Sequence, residues 1–222
     1  MLWYVSPKVL CSFFGVLTHS VSSTIIQEVR DLCQTGLASL AFFYFDFRDT
    51  AKQDVRSLLS SLLVQLSNRS DNFCSILSTL YSTHDRGSQQ PSDDALLECL
   101  KDMLTLPGQG EIYLVLDALD ECPNFSGYPA PREQALRVIE ELIELHLPHV
   151  HFCIVSRPEV DIRDALESLA AHSVSLHEQA GQNQDISDYI KSVVYSDRKM
   201  RRWQEEDKQL VIKTLTEKAG GM

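Results

Sequence analysis

The fold of this chain is decided by one stretch, EIYLVLDALDEC at residues 111–122. Its first part is mostly apolar, is rich in β-branched and aromatic residues, and is too short for a typical helix. The pattern predicts a strand that is buried on both faces, as in a parallel sheet. Asp117 ends this strand, and Asp120 and Glu121 follow in the turn. Open α/β sheets bind ligands at the carboxyl ends of their strands, so these acids are candidate site residues, although a solvated acidic turn gives the same pattern.

Strands and helices alternate on both sides of this stretch. Further apolar strands are predicted at about 40–47, 150–155 and 172–176. Amphipathic helices are predicted at about 22–34, 55–66, 73–81, 96–104, 132–146, 160–169, 186–194 and 204–219. This alternation indicates an α/β fold, with a mostly parallel sheet and helices on both of its faces.

Charged residues follow the predicted strands on either side of the central one. Asp46, Arg48 and Asp49 stand at the end of the strand at 40–47, and Arg157 follows the strand at 150–155. Each of these residues alone is explained by a turn or a helix cap. Because parallel strands end at the same edge of a sheet, we expect them to lie near the acids of 117–121.

The composition places the chain among globular proteins. It has 222 residues, 44% of them hydrophobic and 23% charged, with a net charge of −11. A nucleic-acid partner is not expected, because the basic cluster RKMRR at 198–202 is short and is typical of a solvated helix end. The six cysteines include no CxxC pair, which favours reduced thiols and a cytoplasmic location. The apolar run at 9–17 is too short to span a bilayer, so no membrane association is expected.

Three sequence segments together resemble a known family. FFYFDFRD at 42–49, LVLDALDEC at 114–122 and VSRPE at 155–159 are similar to the NACHT class of signal-transduction P-loop NTPases, the STAND group. The similarity is closer to the nephrocystin-3-like N-terminal domain of fungal NACHT proteins with ankyrin or WD repeats, and it covers about residues 24–222. The resemblance implies a P-loop NTPase-like three-layer sandwich.

The resemblance also implies roles for individual residues. Asp117 would be the Walker B acid that holds Mg²⁺, and Asp120 and Glu121 would be the catalytic acids, with Glu121 polarising the attacking water. Arg157 would reach towards the γ-phosphate, which its planar guanidinium fits. The implied cofactors are Mg²⁺ and ATP or GTP. In the family, the nucleotide acts as a switch for oligomerisation and signalling.

The amino-terminal region departs from this family. A P-loop has the pattern G-x-x-x-x-G-K-[ST], but no lysine in this chain follows a glycine. Residues 2–6 resemble a remnant of the first strand, and 7–12 a degenerate loop in which Lys8 remains as a candidate phosphate ligand. Residues 13–22 interrupt the pattern, which returns at Ser23, so we interpret them as an insertion, such as translated intron.

These observations give a domain division and a functional hypothesis. We expect a degenerate or artefactual segment at 1–23, a NACHT-like core at 24–180, and a helical extension, truncated at its carboxyl end, at 181–222. The expected function is that of a signalling-switch domain by descent, deficient in nucleotide binding. It would act as an interaction module that self-associates or binds other NACHT or repeat domains.

Two alternatives remain open at this point. One is a competent switch that binds Mg-ATP or Mg-GTP, so whether the chain is an enzyme is not decided by the sequence. The other is an unrelated metal-dependent α/β hydrolase that uses the acids at 117–121. The histidines show no pairing with these acids, and His146, His149 and His151 are expected to be surface or cap residues.

Overall fold

A computed structural model describes residues 2–5, 21–125, 127–170, 172–174 and 180–219. The strands are β1 (Leu2–Val5), β2 (Ala38–Tyr44), β3 (Glu111–Asp117), β4 (Val150–Val155) and β5 (His172–Val174). The helices are α1 (Val21–Gln34), α2 (Val55–Ser67), α3 (Asp71–Thr83), α4 (Asp93–Thr105), α5 (Pro131–Ile143), α6 (Val160–Leu166), α7 (Ala180–Ser196) and α8 (Glu205–Ala219). The described residues form two compact units, one ending at Val174 and one covering 180–219.

The strands of the first unit form one sheet in the order β2-β3-β4-β1-β5. β2, β3 and β4 are parallel to one another, as the sequence predicts. β1 is the exception, because it runs antiparallel to both of its neighbours. Its last residue, Val5, therefore pairs with Phe152, whereas its first residue, Leu2, pairs with Val155 at the carboxyl end of β4.

Both faces of the parallel strands are covered, and side chains alternate between the faces. On one face, Leu114 and Leu116 of β3 pack into the larger cluster of buried residues, which includes side chains of α2, α4, α5 and α6. On the other face, Val115 packs with Ile26 and Val29 of α1. This burial on two faces explains why the strands are apolar almost throughout.

The helix ends follow from local sequence. Asp54, Ser70 and Ser92 are the N-caps of α2, α3 and α4, and each side chain accepts a hydrogen bond from a backbone N–H in the first turn. Gly36 follows α1 with a φ of 75°, a conformation that glycine adopts without a steric penalty. Local capping residues therefore set the starts of these three helices and the end of α1.

Some boundaries differ from the predictions. β2 ends at Tyr44 and not at Phe47, because the Asp46 carboxylate accepts hydrogen bonds from the backbone N–H and the guanidinium of Arg48 and so closes a turn. α6 ends at Leu166, before the predicted 169. The predicted strand at 172–176 is seen as β5, and its last two predicted residues lie outside the described residues.

The expectation for His151 is wrong. This residue lies in β4, its exposed fraction is 3%, and its Nε2 is 2.7 Å from the Glu111 carboxylate. Its ring also stacks on Tyr113, with the ring centroids 4.6 Å apart. His149 does cap a helix, because its ring contacts the Leu104 carbonyl at the end of α4. The sequence pattern does not show which of the two histidines is buried and which caps a helix, because they are only two positions apart.

Candidate functional site

The carboxyl ends of three parallel strands meet at Asp117. In the sheet register, this last residue of β3 pairs with Tyr44 of β2 on one side and with Val155 of β4 on the other. The turns that follow the three strands therefore start at the same edge, as the sequence predicts. They carry the charged residues from which the candidate site is built.

The Asp117 carboxylate is half-buried and has a hydroxyl partner. The Ser22 side chain, in the first turn of α1, donates a hydrogen bond to Oδ2 over 2.5 Å, and the Ala118 N–H donates to Oδ1 over 2.9 Å. Burial raises the pKa of Asp117 above its usual value, and the hydrogen bonds from Ser22 and Ala118 oppose that rise. The result is a desolvated carboxylate beside a buried hydroxyl.

The turn after Asp117 has an unusual backbone. Ala118 adopts a φ of 55°, in the left-handed region, and a short 3₁₀ turn follows at Leu119–Glu121. Leu119 and Cys122 are fully buried in the larger core cluster. Because these apolar residues anchor the turn on both sides, Asp120 and Glu121 are held at the sheet edge.

Asp120 fixes the end of the neighbouring strand. Its Oδ1 accepts hydrogen bonds from the Arg157 backbone N–H at 3.0 Å and from the Ser156 hydroxyl at 3.1 Å. Its Oδ2 lies 3.4 Å from Nε of Arg157, whose side chain is 80% exposed. The Asp120 N–H in turn donates to the Ser156 oxygen over 3.0 Å. The Asp120 carboxylate therefore positions Arg157. The role of Asp120 as a catalytic acid stays a prediction.

Glu121 contacts the turn after β2 instead. Its Oε2 accepts a hydrogen bond from the Phe47 N–H over 3.2 Å. In the same turn, the exposed Arg48 guanidinium binds Asp46 through two hydrogen bonds, which lower the pKa of Asp46 to about 2. Glu121 and Asp120 thus face different neighbours, and the structure brings Arg157 to Asp120 rather than to Glu121.

Arg132, at the start of α5, supports the acidic turn and was missed by the sequence interpretation. Its guanidinium donates to the carbonyl of Asp120 and, over 2.9 Å, to that of Cys122. It also lies 3.4 Å from the Asp161 carboxylate, and its own side chain is only 11% exposed. The signal available was an arginine at the start of the predicted helix at 132–146, but backbone carbonyl partners leave no trace in a sequence.

Ser22 was also missed, because the sequence interpretation assigned it to the insertion at 13–22. Its signal was the hydroxyl-rich segment SST at 22–24, in the first turn of α1. Lys8, the predicted phosphate ligand, lies outside the described residues. Within the part of the chain that the structure describes, no group of three or more His, Cys, Asp or Glu side chains is arranged to hold a metal ion.

None of the described helices combines the length and the apolar character that a membrane span requires.

Comparison with known proteins places these residues in a family. No curated protein and no solved structure matches the chain. The family model described as nephrocystin 3, N-terminal, matches residues 19–157, more than half of the chain. This range contains the residues at the centre of the site: Ser22, Asp117, Asp120, Glu121, Arg132 and Arg157. The chain therefore belongs to the nephrocystin-3 N-terminal family and contains a NACHT-like domain.

Proposed function

We propose that this chain is a NACHT-like interaction module of the STAND signalling type, descended from a nucleotide switch and deficient in nucleotide binding. The observation that carries the proposal is the direction of β1. A phosphate-binding loop follows the carboxyl end of a strand and meets the phosphates at the edge where the Walker B acid lies. Val5, at the carboxyl end of β1, pairs with Phe152, which lies three residues before Val155, the β4 residue that pairs with Asp117. The carboxyl end of β1 is therefore not at the sheet edge that carries Asp117.

The sequence supports the same proposal. A P-loop supplies backbone N–H groups and a lysine, and this chain has no glycine followed by lysine. Hydrogen bonds to charged groups contribute about 1.5–3 kcal/mol each. The loss of two of them therefore costs about 3–6 kcal/mol, or roughly 10²- to 10⁴-fold in the nucleotide Kd. The sequence therefore lacks the P-loop pattern that would hold a triphosphate.

Two residues of the site, Asp117 and Ser22, fit a magnesium ion. A carboxylate and a hydroxyl are oxygen ligands that Mg²⁺ accepts, and Asp117 and Ser22 place them 2.5 Å apart. This pair favours the second candidate function, a competent Mg-nucleotide switch. In that case Asp117 and Ser22 would hold the ion, Asp120 would position Arg157, and Glu121 would remain the candidate acid for polarising water.

Exposed apolar side chains support the interaction module. Phe125 is 91% exposed, Tyr128 is 101% exposed and Val160 is 73% exposed. Phe125 lies in the loop before α5, and Val160 is the first residue of α6. A hydrogen bond of 2.9 Å from Asn124 to Asp161 joins these two segments. Large apolar residues held in solvent by a polar network are typical of surfaces that bind other proteins.

A thermal-shift titration with Mg-ATP, Mg-GTP and Mg²⁺ alone tests the proposal. A ligand that binds only the folded state at 100 times its Kd stabilises that state by about 2.7 kcal/mol. We expect no shift from either nucleotide beyond that of Mg²⁺ alone, together with concentration-dependent association in sedimentation velocity. A nucleotide shift that disappears in Asp117→Ala but persists in a control variant, Asp164→Ala on the exposed side of α6, would contradict the proposal in favour of the switch.

A further inference from the structure

The turn between α7 and α8 carries two groups of opposite charge. Four cations come first, and three acids follow in the first turn of α8: Arg198, Lys199, Arg201, Arg202, Glu205, Glu206 and Asp207. All seven side chains are exposed. Trp203, 43% exposed, stands between the two groups. The same short segment therefore presents a basic patch, an aromatic ring and an acidic patch.

The turn has a fixed local conformation. The Asp197 carboxylate accepts a hydrogen bond of 2.7 Å from the Lys199 N–H. The Tyr195 hydroxyl, at the end of α7, donates to Glu205 and accepts a hydrogen bond of 2.9 Å from Gln209 of α8. These contacts join the two helices at the turn, so the charged side chains project from an ordered hairpin end.

Glu205 is bound by Tyr195 and Gln209, but the other charged side chains of this turn have no ion-pair partner within the hairpin. Among residues 180–219, none lies within ion-pair distance of any of the four cations, of Glu206 or of Asp207. Cations this dense are unusual in a chain with a net charge of −11. The acidic residues that complement them begin at Glu205, three positions beyond Arg202 and after Trp203 and Gln204.

We infer that this turn is a dimerisation surface whose partner is the same turn of a second copy of the chain. A two-fold interface needs a patch that complements itself, and neighbouring basic and acidic groups meet this requirement. A half-turn rotation places the cations of each copy on the acids of the other, with the two Trp203 rings between them. Tryptophan and arginine are also the residues most enriched at the centres of protein interfaces.

The occupant follows from charge complementarity. A nucleic acid or an anionic membrane would attract Arg201 and Arg202 but would repel Glu206 and Asp207 beside them. A second copy satisfies both groups at once. The inference rests on the proposed function, since it names the surface through which the interaction module self-associates.

The experiment is a charge swap measured by sedimentation equilibrium on the full chain. In R201E/R202E the seven charged positions carry a net charge of −3, and in E206K/D207K they carry a net charge of +5. Because like charges then face each other, each variant alone is expected to dimerise at least about tenfold more weakly than the wild type. An equimolar mixture of the two variants restores opposite charges on both sides of the axis, and its affinity is expected to return to within about threefold of the wild type.

The control is R69E/R86E, which changes the net charge by the same amount as R201E/R202E at two exposed arginines of the first unit. It is expected to dimerise like the wild type. Circular dichroism checks that every variant is folded. Equal weakening in the control, or a mixture that fails to recover, overturns the inference while leaving self-association intact.

A wild-type chain that stays monomeric overturns both the inference and the self-association in the proposed function. Binding of that monomer to nucleic acid or to anionic vesicles through Arg201 and Arg202 would identify the turn as a site for an anionic partner instead.

Discussion

Replacement of Arg132 by alanine is expected to destabilise the first unit strongly, although the residue is polar. The guanidinium donates to the carbonyls of Asp120 and Cys122, and hydrogen bonds that involve a charged group contribute about 1.5–3 kcal/mol each. The two together give about 3–6 kcal/mol. The more exposed pair with Asp161 adds at most about 1 kcal/mol.

The lower end of this range is the better expectation for the alanine variant. Truncation leaves a space through which water can reach the two carbonyls, so part of the desolvation cost is recovered. We therefore expect a loss of about 3 kcal/mol in the free energy of unfolding, or a fall of roughly 6–12 °C in Tm for a chain of this size. Urea unfolding followed by circular dichroism measures the difference.

Arg137 provides a matched control on the same helix. Its side chain is 64% exposed and forms a single i,i+4 pair with Glu133 at 3.2 Å. R137A is expected to cost less than about 0.5 kcal/mol. If R132A and R137A unfold at the same urea concentration, the assignment of Arg132 as the support of the 118–122 turn is refuted.

Two further predictions concern the sheet. Burial raises the pKa of Asp117 above 3.8, so ionisation of this carboxylate lowers the free energy of unfolding. This loss of stability begins as the pH rises through 3.8 and is complete above the folded pKa. Asp117→Asn is therefore expected to be more stable than the wild type at neutral pH, and this gain is expected to shrink as the pH falls through the folded pKa to below 3.8. Urea unfolding as a function of pH measures the gain in stability. A gain that does not change with pH would contradict the argument. Gly110→Ala is expected to lose about 1–3 kcal/mol or more, since a Cβ at this position would lie 2.3 Å from the Leu37 carbonyl oxygen. Gly108→Ala, where a Cβ meets no atom within 4 Å, is expected to cost only the about 1–2 kcal/mol of its positive φ, and equal losses in the two variants would count against the clash.

The sequence predicts the parallel part of the fold because that part is encoded locally. β2, β3 and β4 are covered on both faces, so their residues are apolar almost throughout. The acids after β3 are equally local, since strand and turn are contiguous in the chain. Their convergence with Arg157 then follows from the rule that parallel strands end at one edge.

The remainder of the site depends on contacts that no local pattern records. Ser22 and Asp117 are 95 positions apart, and nothing in either segment specifies that they meet. The partners of Arg132 are backbone carbonyls, which every residue possesses. The sequence also does not specify the direction of β1, because a strand of four residues forms ladder hydrogen bonds in either orientation.

The two faces of the sheet also differ in how firmly they are covered. The α1 face has a small cluster of buried residues, to which α1 contributes Ile26 and Val29, whereas the opposite cluster draws on several helices. A segment that buries fewer apolar contacts unfolds locally at a lower free-energy cost. We therefore expect amide hydrogens of α1 to exchange before those of α2 and α4. Each opening of α1 also carries Ser22 away from Asp117, so the protonation of that carboxylate is linked to the local unfolding of one helix.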